Sequence, residues 1–216
     1  MKIKNSHTQK TMEAYNKNAQ RYQEIFGSYQ VYIKKISDFQ KKFIEDGAKI
    51  LDLGCGPGNN IATILKNTPD CCFTGVDLSK QFIKTAKTKF PQFEFIQKNI
   101  LEISSITEYD IILASFCIVH LTNEETEKLF RKVSALLKKN GAIYISYMSG
   151  AGQGFESTSF SKEQIFFNYY DDQFIYKVLN KNFLRVVEIS KEEYMEQDGS
   201  ITIDTFIYAI RDPEKK

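Results

Sequence analysis

From Lys49 to Ser146, short apolar runs alternate with longer amphipathic stretches, and this alternation limits the possible fold more than any other feature. The apolar runs have the length of strands, and the stretches between them place apolar residues at the three- and four-residue spacing of helices. Continuous apolar strands interleaved with helices are typical of a parallel sheet covered on both faces, which predicts an α/β fold. The predicted strands are Lys49–Leu53, Cys72–Val76, Phe93–Ile96, Asp110–Ala114 and Ala142–Ser146, and the predicted helices are Asn59–Lys66, Ser79–Lys89 and Asn123–Lys138.

The segment before this alternation has a helical pattern. Apolar residues at helical spacing predict one helix from about Thr8 to Phe26. A second helix is predicted to stop at Asp46-Gly47, where the glycine suits a helix C-cap. We therefore interpret residues 1–46 as an N-terminal helical cap.

The last third of the chain breaks the alternation. Residues 149–170 combine a glycine-rich run with many aromatic residues, which predicts a lid-like insertion whose rings enclose an apolar or cationic substrate. The same rings would also suit the packed underside of an insertion. A helix is predicted at Asp171–Asn182. The turn signal Asp198-Gly199 separates two strand-like runs, Leu184–Ile189 and Ile201–Ile210, and favours an antiparallel pair at the sheet edge.

Composition excludes several classes of protein. With 216 residues, 42% hydrophobic and 26% charged, the chain has the size and apolar content of one folded domain, predicted to span residues 1–216. A formal net charge of +2 does not favour a nucleic-acid partner. No apolar run has the length of a signal peptide or a membrane span. The four cysteines form no paired CxxC motif and only two histidines are present, so we predict buried free thiols, no bound metal and a cytoplasmic location.

A glycine-rich loop lies directly between the first predicted strand and the helix after it. Its sequence is Leu51-Asp-Leu-Gly-Cys-Gly-Pro-Gly-Asn-Asn60. Glycines at positions 54, 56 and 58 allow a tight turn and leave no Cβ to hold a ligand away from the backbone. The following helix offers unpaired N–H groups and the positive end of its dipole. The loop therefore predicts a site for a nucleotide-like ligand.

An acidic residue ends the second predicted strand, within Gly75-Val-Asp77-Leu-Ser79. A carboxylate at this place in a βαβ unit can accept hydrogen bonds from both hydroxyls of a ribose. The competing interpretation makes the glycines ordinary turn residues and Asp77 a helix cap, but Ser79 is better placed for the cap. The nicotinamide and flavin fingerprint G-x-G-x-x-G/A would need a small residue at Asn59, so a dehydrogenase is disfavoured.

Four segments resemble one family of enzymes, the class I S-adenosylmethionine-dependent methyltransferases. The run Ile50–Gly58 resembles motif I of that family, and Gly75–Ser79 is similar to its acidic second motif. Tyr109–Leu121 is similar to the fourth strand and its exit, and Leu137–Ile145 to the turn into strand five. The resemblance covers about residues 8–211. It implies a Rossmann-like, seven-stranded, mostly parallel sheet with helices on both faces and an antiparallel last strand.

The resemblance also implies S-adenosylmethionine as cofactor and assigns residues around it. The glycine-rich loop would surround the methionine portion, the acidic residue the ribose, the end of strand three the adenine, and the exit of strand four the sulfonium. Tyr15 or Tyr22 would close over the cofactor's carboxylate. The family often has Asp where this chain has Asn99, whose amide oxygen can still accept a hydrogen bond from the adenine amino group. The implied cofactor-binding residues are Tyr22, Asp52, Gly54, Cys55, Gly56, Gly58, Asp77, Leu78, Asn99, Ile100, Ser115 and Phe116.

The acceptor side of the site is less defined by the sequence. Methyl transfer to a neutral amine needs alignment but no base, whereas a hydroxyl or a protonated amine needs one. His120, just after strand four, has a pKa suited to a general base, and the competing interpretation is that it orders the loop. Tyr147, Phe167 and Tyr170 are candidate substrate-binding residues.

We therefore predict a methyltransferase acting on an N or O atom of a small-molecule acceptor. Three other functions stay open at this stage: a methyltransferase of RNA or protein, a non-catalytic S-adenosylmethionine-binding protein, and a nicotinamide enzyme. The near-neutral charge disfavours a nucleic-acid substrate. Ala114-Ser-Phe-Cys117 also lacks the Asn/Asp-Pro-Pro-Tyr/Phe motif of enzymes that methylate base amino groups. The sequence does not define the oligomeric state.

Overall fold

The computed structural model describes residues 6–104, 108–196 and 198–212, so the ends of the predicted domain and of its helical cap lie outside the described residues. Two short 3₁₀ turns, Ile100–Glu102 and Ile118–His120, lie within loops. The helices are α1 (Ser6–Lys17), α2 (Ala19–Phe26), α3 (Gln30–Phe43), α4 (Asn59–Ile64), α5 (Lys80–Lys89), α6 (Asn123–Leu136) and α7 (Asp172–Lys181). The strands are β1 (Lys49–Leu53), β2 (Cys72–Asp77), β3 (Glu94–Gln97), β4 (Tyr109–Ser115), β5 (Leu137–Ser149), β6 (Gln153–Glu156), β7 (Ile165–Asn168), β8 (Leu184–Met195) and β9 (Ile201–Arg211).

Seven of these strands form one sheet in the order β3-β2-β1-β4-β5-β9-β8. The pairs from β3 to β5 are parallel, and β9 runs antiparallel to both of its neighbours. This confirms the predicted seven-stranded sheet with an antiparallel last strand, and β8 lies at the sheet edge as expected. The strand order reverses at β1 and β4, and ligands bind at the carboxyl ends of strands beside such a reversal.

Side chains that alternate along the strands form one apolar core on each face of the sheet. On β4, Ile112 and Ala114 pack into the core beneath α6 and α7, whereas Ile111 and Leu113 pack into the core beneath α3 and α4. All four are at most 2% exposed. Because both faces are covered, the strand is apolar throughout, which explains why its sequence has no polar alternation.

Local caps fix where the helices that border the site begin. The Ser79 hydroxyl accepts a hydrogen bond from the Phe82 N–H, so the expected cap of α5 is confirmed. Thr122 and Glu125 form a reciprocal capping box at the start of α6. Asp171 caps α7. Each cap satisfies backbone N–H groups that the helix itself leaves without a partner.

Two predictions of local structure need correction. The single helix predicted from Thr8 to Phe26 is two helices, which meet at Asn18. The second predicted helix ends at Phe43, and Gly47 lies beyond it in a turn at φ +80°. Within residues 149–170, β6 and β7 form a two-stranded antiparallel hairpin that contacts α1. Within the described residues, no helix is long and apolar enough to cross a bilayer.

Candidate functional site

A cavity of about 280 Å³ lies at the carboxyl ends of the parallel strands. The glycine-rich loop after β1 and the ends of β2 and β4 form one side, and helices α1 and α2 form another. Residues 158–160 and Phe167, from the segment after β5, complete the wall. Segments from both ends of the chain therefore enclose a space beside the strand reversal.

Backbone bonds and close packing set the shape of the glycine-rich loop. The N–H groups of Gly54 and Cys55 both donate to the Val76 carbonyl, at 2.8 and 3.1 Å. Gly54 has φ +64°, and a Cβ there would lie 2.6 Å from the Cys117 Cβ. Gly56 has φ +53°, and a Cβ there would meet no protein atom within 4 Å. The backbone at Gly56 therefore faces open space, which a ligand can approach closely.

Asp77 connects β2 to this loop. Its Oδ2 accepts a hydrogen bond from the Gly56 N–H at 2.9 Å, and its Oδ1 accepts one from the Ser79 N–H at 2.7 Å. Burial raises its pKa to about 6, against the effect of those backbone hydrogen bonds. Both oxygens of the carboxyl are thus already hydrogen-bonded to the backbone, but each keeps a lone pair that can accept a hydrogen bond from a ligand hydroxyl.

Two residues assigned to the cofactor do not line the cavity. Asp52 is fully buried on β1, where it accepts hydrogen bonds from the Asn60 side chain, and burial raises its pKa to about 7. Gly58 is the left-handed N-cap of α4, and the Phe90 ring occupies the space where a Cβ would lie. Asp52 and Gly58 therefore support the conformation of the loop on its side away from the cavity, because neither position on β1 or at the start of α4 faces the cavity.

The other assigned cofactor residues line the cavity. The Asn99 side-chain oxygen accepts a hydrogen bond from the Leu101 N–H at 2.9 Å, so part of its accepting capacity holds the following 3₁₀ turn. Phe116 has φ +48°, and its N–H donates to the Ser146 side chain at 3.0 Å. The assigned residues that line the cavity are Tyr22, Gly54, Cys55, Gly56, Asp77, Leu78, Asn99, Ile100, Ser115 and Phe116.

His120 lines the cavity together with Tyr15 of α1. His120 Nδ1 lies 2.9 Å from the Phe166 carbonyl, which can only accept, so Nδ1 is the protonated nitrogen. Nε2 then accepts a hydrogen bond from the Tyr15 hydroxyl at 2.9 Å. Burial lowers the pKa of His120 to about 4, and the ring is therefore uncharged at neutral pH. Both of its nitrogens are engaged, so a base role would act through, or require movement of, the Tyr15 hydroxyl.

Aromatic rings form much of the cavity wall on the α1 and α2 side. Tyr22 packs against Tyr15, Phe82 and Phe160, with ring centroids 5.2 to 5.6 Å apart. Burial raises the pKa of the Tyr22 hydroxyl, and the nearby Asp77 carboxyl adds to this effect. Tyr22 is therefore an uncharged hydrogen-bonding group beside the glycine-rich loop.

Two of the three candidate substrate residues are in the core and not in the cavity. Tyr147 is fully buried, and its hydroxyl donates to Asp172 at 2.8 Å. Strand alternation directs it away from the cavity, which its neighbour Met148 lines. Tyr170 is 1% exposed and donates to the carbonyls of Ile118 and Leu121. Only Phe167 lines the cavity, with its ring 5.0 Å from that of His120.

The sequence analysis missed the residues at the other end of the cavity. Asp204 of β9 and Glu196 line it there, together with Tyr32 of α3 and Tyr194. Asp204 is an acidic residue within a strand made mostly of apolar residues and threonine, and this is the signal by which the sequence could have revealed it. In the described part of the chain, no group of three or more His, Cys, Asp or Glu residues is arranged to hold a metal ion. All four cysteines are free, although Cys72 is exposed and not buried as predicted.

Comparisons with known proteins agree with this geometry. Residues 50–141 match a family model described as a methyltransferase domain. A trans-aconitate 2-methyltransferase of Enterobacter sp. (strain 638) is 31% identical over 102 residues, which are 47% of this chain and 40% of that protein. An uncharacterized methyltransferase of Alkaliphilus oremlandii (strain OhILAs) is 26% identical over 186 residues, 86% of this chain and 77% of that protein. The solved structure of Burkholderia thailandensis 1,6-didemethyltoxoflavin-N1-methyltransferase has a TM-score of 0.74 at 14% identity, covering 98% of this chain and 92% of that chain.

Sheet order, glycine-rich loop and strand-end carboxylate together define the class I methyltransferase fold. Residues 50–141 match a methyltransferase domain, and the chain as a whole has the fold of a solved methyltransferase structure, which agrees with the resemblance found in the sequence. The match to the trans-aconitate relative spans only about two fifths of that protein's length.

Proposed function

We propose that the protein transfers the methyl group of S-adenosylmethionine to an N or O atom of a small-molecule acceptor. The observation that supports this most is the open backbone at Gly56 beside the Asp77 carboxyl, at the edge of an enclosed cavity. A nucleoside can lie on bare backbone and bond a carboxylate through its ribose hydroxyls. The residues present therefore fit the cofactor, which when bound supplies a methyl group activated by its sulfonium.

The protein's part in this reaction is to hold and align two molecules and to exclude water. Asp77 would bind the ribose, Leu78 and Ile100 would cover the adenine, and Phe116 would border the methyl group. Aromatic rings from α1, α2 and the segment after β5 surround the space next to it, which removes water from the reacting atoms. Alignment of this kind can supply much of the acceleration of a methyl transfer.

The same proposal assigns His120 a role through Tyr15. In its uncharged state Nε2 accepts a hydrogen bond from the Tyr15 hydroxyl, which fixes the direction of that hydroxyl in the cavity wall. Any catalytic role of His120 as a base depends on this pair. The proposal further places the protein in the cytoplasm with no nucleic-acid partner, in keeping with four free cysteines and a near-neutral charge.

Calorimetry with purified protein tests the cofactor assignment. We expect binding of S-adenosylmethionine and S-adenosylhomocysteine but not of NAD. Asp77→Ala should weaken the adenosyl ligands by roughly tenfold to a hundredfold, as loss of a charged hydrogen-bond acceptor does. Asp70→Ala, at an exposed aspartate outside the cavity, is the matched control and should bind normally. A wild-type protein that ignores both adenosyl compounds would overturn the proposal.

Turnover is tested by release of S-adenosylhomocysteine in the presence of amine, phenol, thiol and tRNA pools. The proposal expects release with a small-molecule pool. Release with tRNA alone would replace it with the macromolecular alternative. Adenosyl binding without release in any pool would favour a non-catalytic binding protein.

A further inference from the structure

The charged groups of the cavity wall are all of one sign. Among the described residues, the wall contains the carboxyls of Asp77, Glu196 and Asp204 and no Lys or Arg. His120 adds no positive charge at neutral pH, because burial lowers its pKa to about 4. The chain as a whole has a formal net charge of +2, so the negative cavity does not follow from composition.

The carboxyls lie at two ends of the cavity. Asp77 ends β2, whereas Asp204 lies on β9, four strands away across β1, β4 and β5. At about 4.8 Å per strand, the separation across the sheet is roughly 19 Å. The exit of β4, where Phe116 lies, is between them. If the adenosyl group occupies the Asp77 end, Asp204 and Glu196 remain for the acceptor.

Asp204 is a buried carboxyl with few partners. It is 3% exposed, and its Oδ2 accepts a hydrogen bond from the Tyr32 hydroxyl at 2.7 Å. No ion pair in the described part of the chain includes it, since the neighbouring Lys35 pairs with Glu192 at 2.7 Å. Burial and the charge of Glu196 raise the pKa of Asp204 to about 7. A buried carboxylate without a counter-ion is costly, and a bound cation would remove that cost.

Aromatic rings surround the same end of the cavity. The Tyr32 ring lies 4.7 Å from that of Phe116 and is stacked on that of Phe26 at 6.3 Å. Tyr194 packs against Phe26 at 6.5 Å. All four residues line the cavity. The faces of such rings attract cations, and the attraction is stronger where water is excluded.

We propose that the methyl acceptor is an organic amine whose ammonium group binds Asp204 and Glu196 between these rings, while a second, uncharged nitrogen of the same molecule uses its lone pair to accept the methyl group. This rests on the proposed function, because it places the adenosyl group at the Asp77 end. Asp204 acts here as a binding residue for the acceptor's charge and takes no part in the bond changes. A polycarboxylate such as trans-aconitate, the acceptor in the name of a relative, would meet only negative charge at this end.

Calorimetry on protein saturated with S-adenosylhomocysteine tests the inference without turnover. The probes are three amines (phenethylamine, histamine and putrescine), the neutral analogue 2-phenylethanol, and trans-aconitate. We expect at least one amine to bind, 2-phenylethanol to bind about tenfold more weakly than phenethylamine, and trans-aconitate not to bind. Saturation with S-adenosylhomocysteine is measured first, so failure of that step counts against the proposed function and not against the amine.

Variants of the carboxyls complete the test. Asp204→Asn keeps the size and an acceptor for the Tyr32 hydroxyl, and should weaken the amine about tenfold or more while S-adenosylhomocysteine binds normally. Glu196→Gln, at a half-buried site, should cause a smaller loss of amine affinity. This variant replaces Asp204→Asn in the test if Asp204→Asn does not fold. Glu192→Gln is the matched control, since Glu192 pairs with Asp204 in strand register but does not line the cavity. Binding of no amine, preference for trans-aconitate, or unchanged amine affinity in both cavity variants would overturn the inference.

Discussion

Gly54 and Gly56 differ in what a Cβ would meet, so alanine at the two positions should have different effects. A Cβ at Gly56 would point into open space, whereas one at Gly54 would collide with Cys117. We expect Gly56→Ala to lose about 1 kcal/mol of stability, the cost of positive φ, and to lose adenosyl binding because the methyl group occupies the ligand's space. Gly54→Ala should lose about 1–3 kcal/mol more stability than Gly56→Ala, because its methyl group collides with the Cys117 side chain.

Gly47→Ala is the control for both variants. Gly47 also has a positive φ and open space, but it does not line the cavity. It should lose stability as Gly56→Ala does and keep normal ligand affinity. Urea unfolding and calorimetry measure the two effects, and an unchanged affinity in Gly56→Ala would mean that the ligand does not approach this backbone.

His120 should make the stability of the fold depend on pH. Its pKa is lowered to about 4, whereas a histidine in the unfolded chain has a pKa of about 6.5. Between these values the unfolded state binds more protons, so the contribution of His120 to stability is lost as the pH falls from about 6.5 to about 4. His120→Gln lacks this contribution, and the stability difference between wild type and variant should shrink from pH 7.5 to pH 5. Urea unfolding measures both stabilities, and the same stability difference at the two pH values would contradict this prediction.

At the scale of elements, α1 and α2 cover the same cavity but are held differently. Thr11 of α1 accepts a hydrogen bond from the Phe166 N–H of β7, and Asn16 accepts from the Ser79 hydroxyl at the start of α5. By contrast, α2 has no fully buried side chain and contacts the wall through half-buried rings such as Tyr22. Local opening should therefore begin in α2.

Hydrogen exchange can test this difference between the helices. Bound S-adenosylhomocysteine would contact Tyr22, so it should slow amide exchange in α2 more than in α1. The amides of α7, which does not line the cavity, should exchange at the same rate with and without ligand. Equal protection of α2 in the free and bound protein would show that this helix does not respond to the ligand.

At the scale of the whole molecule, elements far apart in the chain combine their carboxyls around one cavity. Burial raises the pKa of Asp77 to about 6 and of Asp204 to about 7. Each carboxyl is therefore protonated in the folded protein at a pH where the unfolded chain is ionised. A ligand with a positive charge should bind best above these pKa values, where the cavity is negative.

This predicts a pH-dependent preference for the charged cofactor. S-adenosylmethionine has a sulfonium charge that S-adenosylhomocysteine lacks. As the pH falls from 7.5 to 5.5, the carboxyls become protonated, and S-adenosylmethionine should lose more affinity than S-adenosylhomocysteine, by about fivefold or more. Calorimetry at both pH values gives the ratio of the two affinities. A ratio that stays constant would mean that these carboxyls do not interact with the sulfonium.

The amino-acid sequence by itself determined the features that depend on neighbours along the chain. The strand–glycine loop–helix unit, the carboxylate at Asp77 and the cap at Ser79 all lie within short segments, and the residue pattern of each segment is enough to predict them. The antiparallel last strand was also predicted, because a turn signal and two strand-like runs are local. These features were sufficient to identify the methyltransferase fold.

Only the tertiary structure decided which side chains share the cavity. Tyr15 meets His120 across 105 positions of the chain, and Tyr32 meets Asp204 across 172. Tyr147 was assigned to the wrong face, because a strand's alternation does not reveal which of its two sides a cavity will border. Contacts of this kind depend on strand order and on which helix covers which end of the sheet, and the free energy of packing the whole chain selects those.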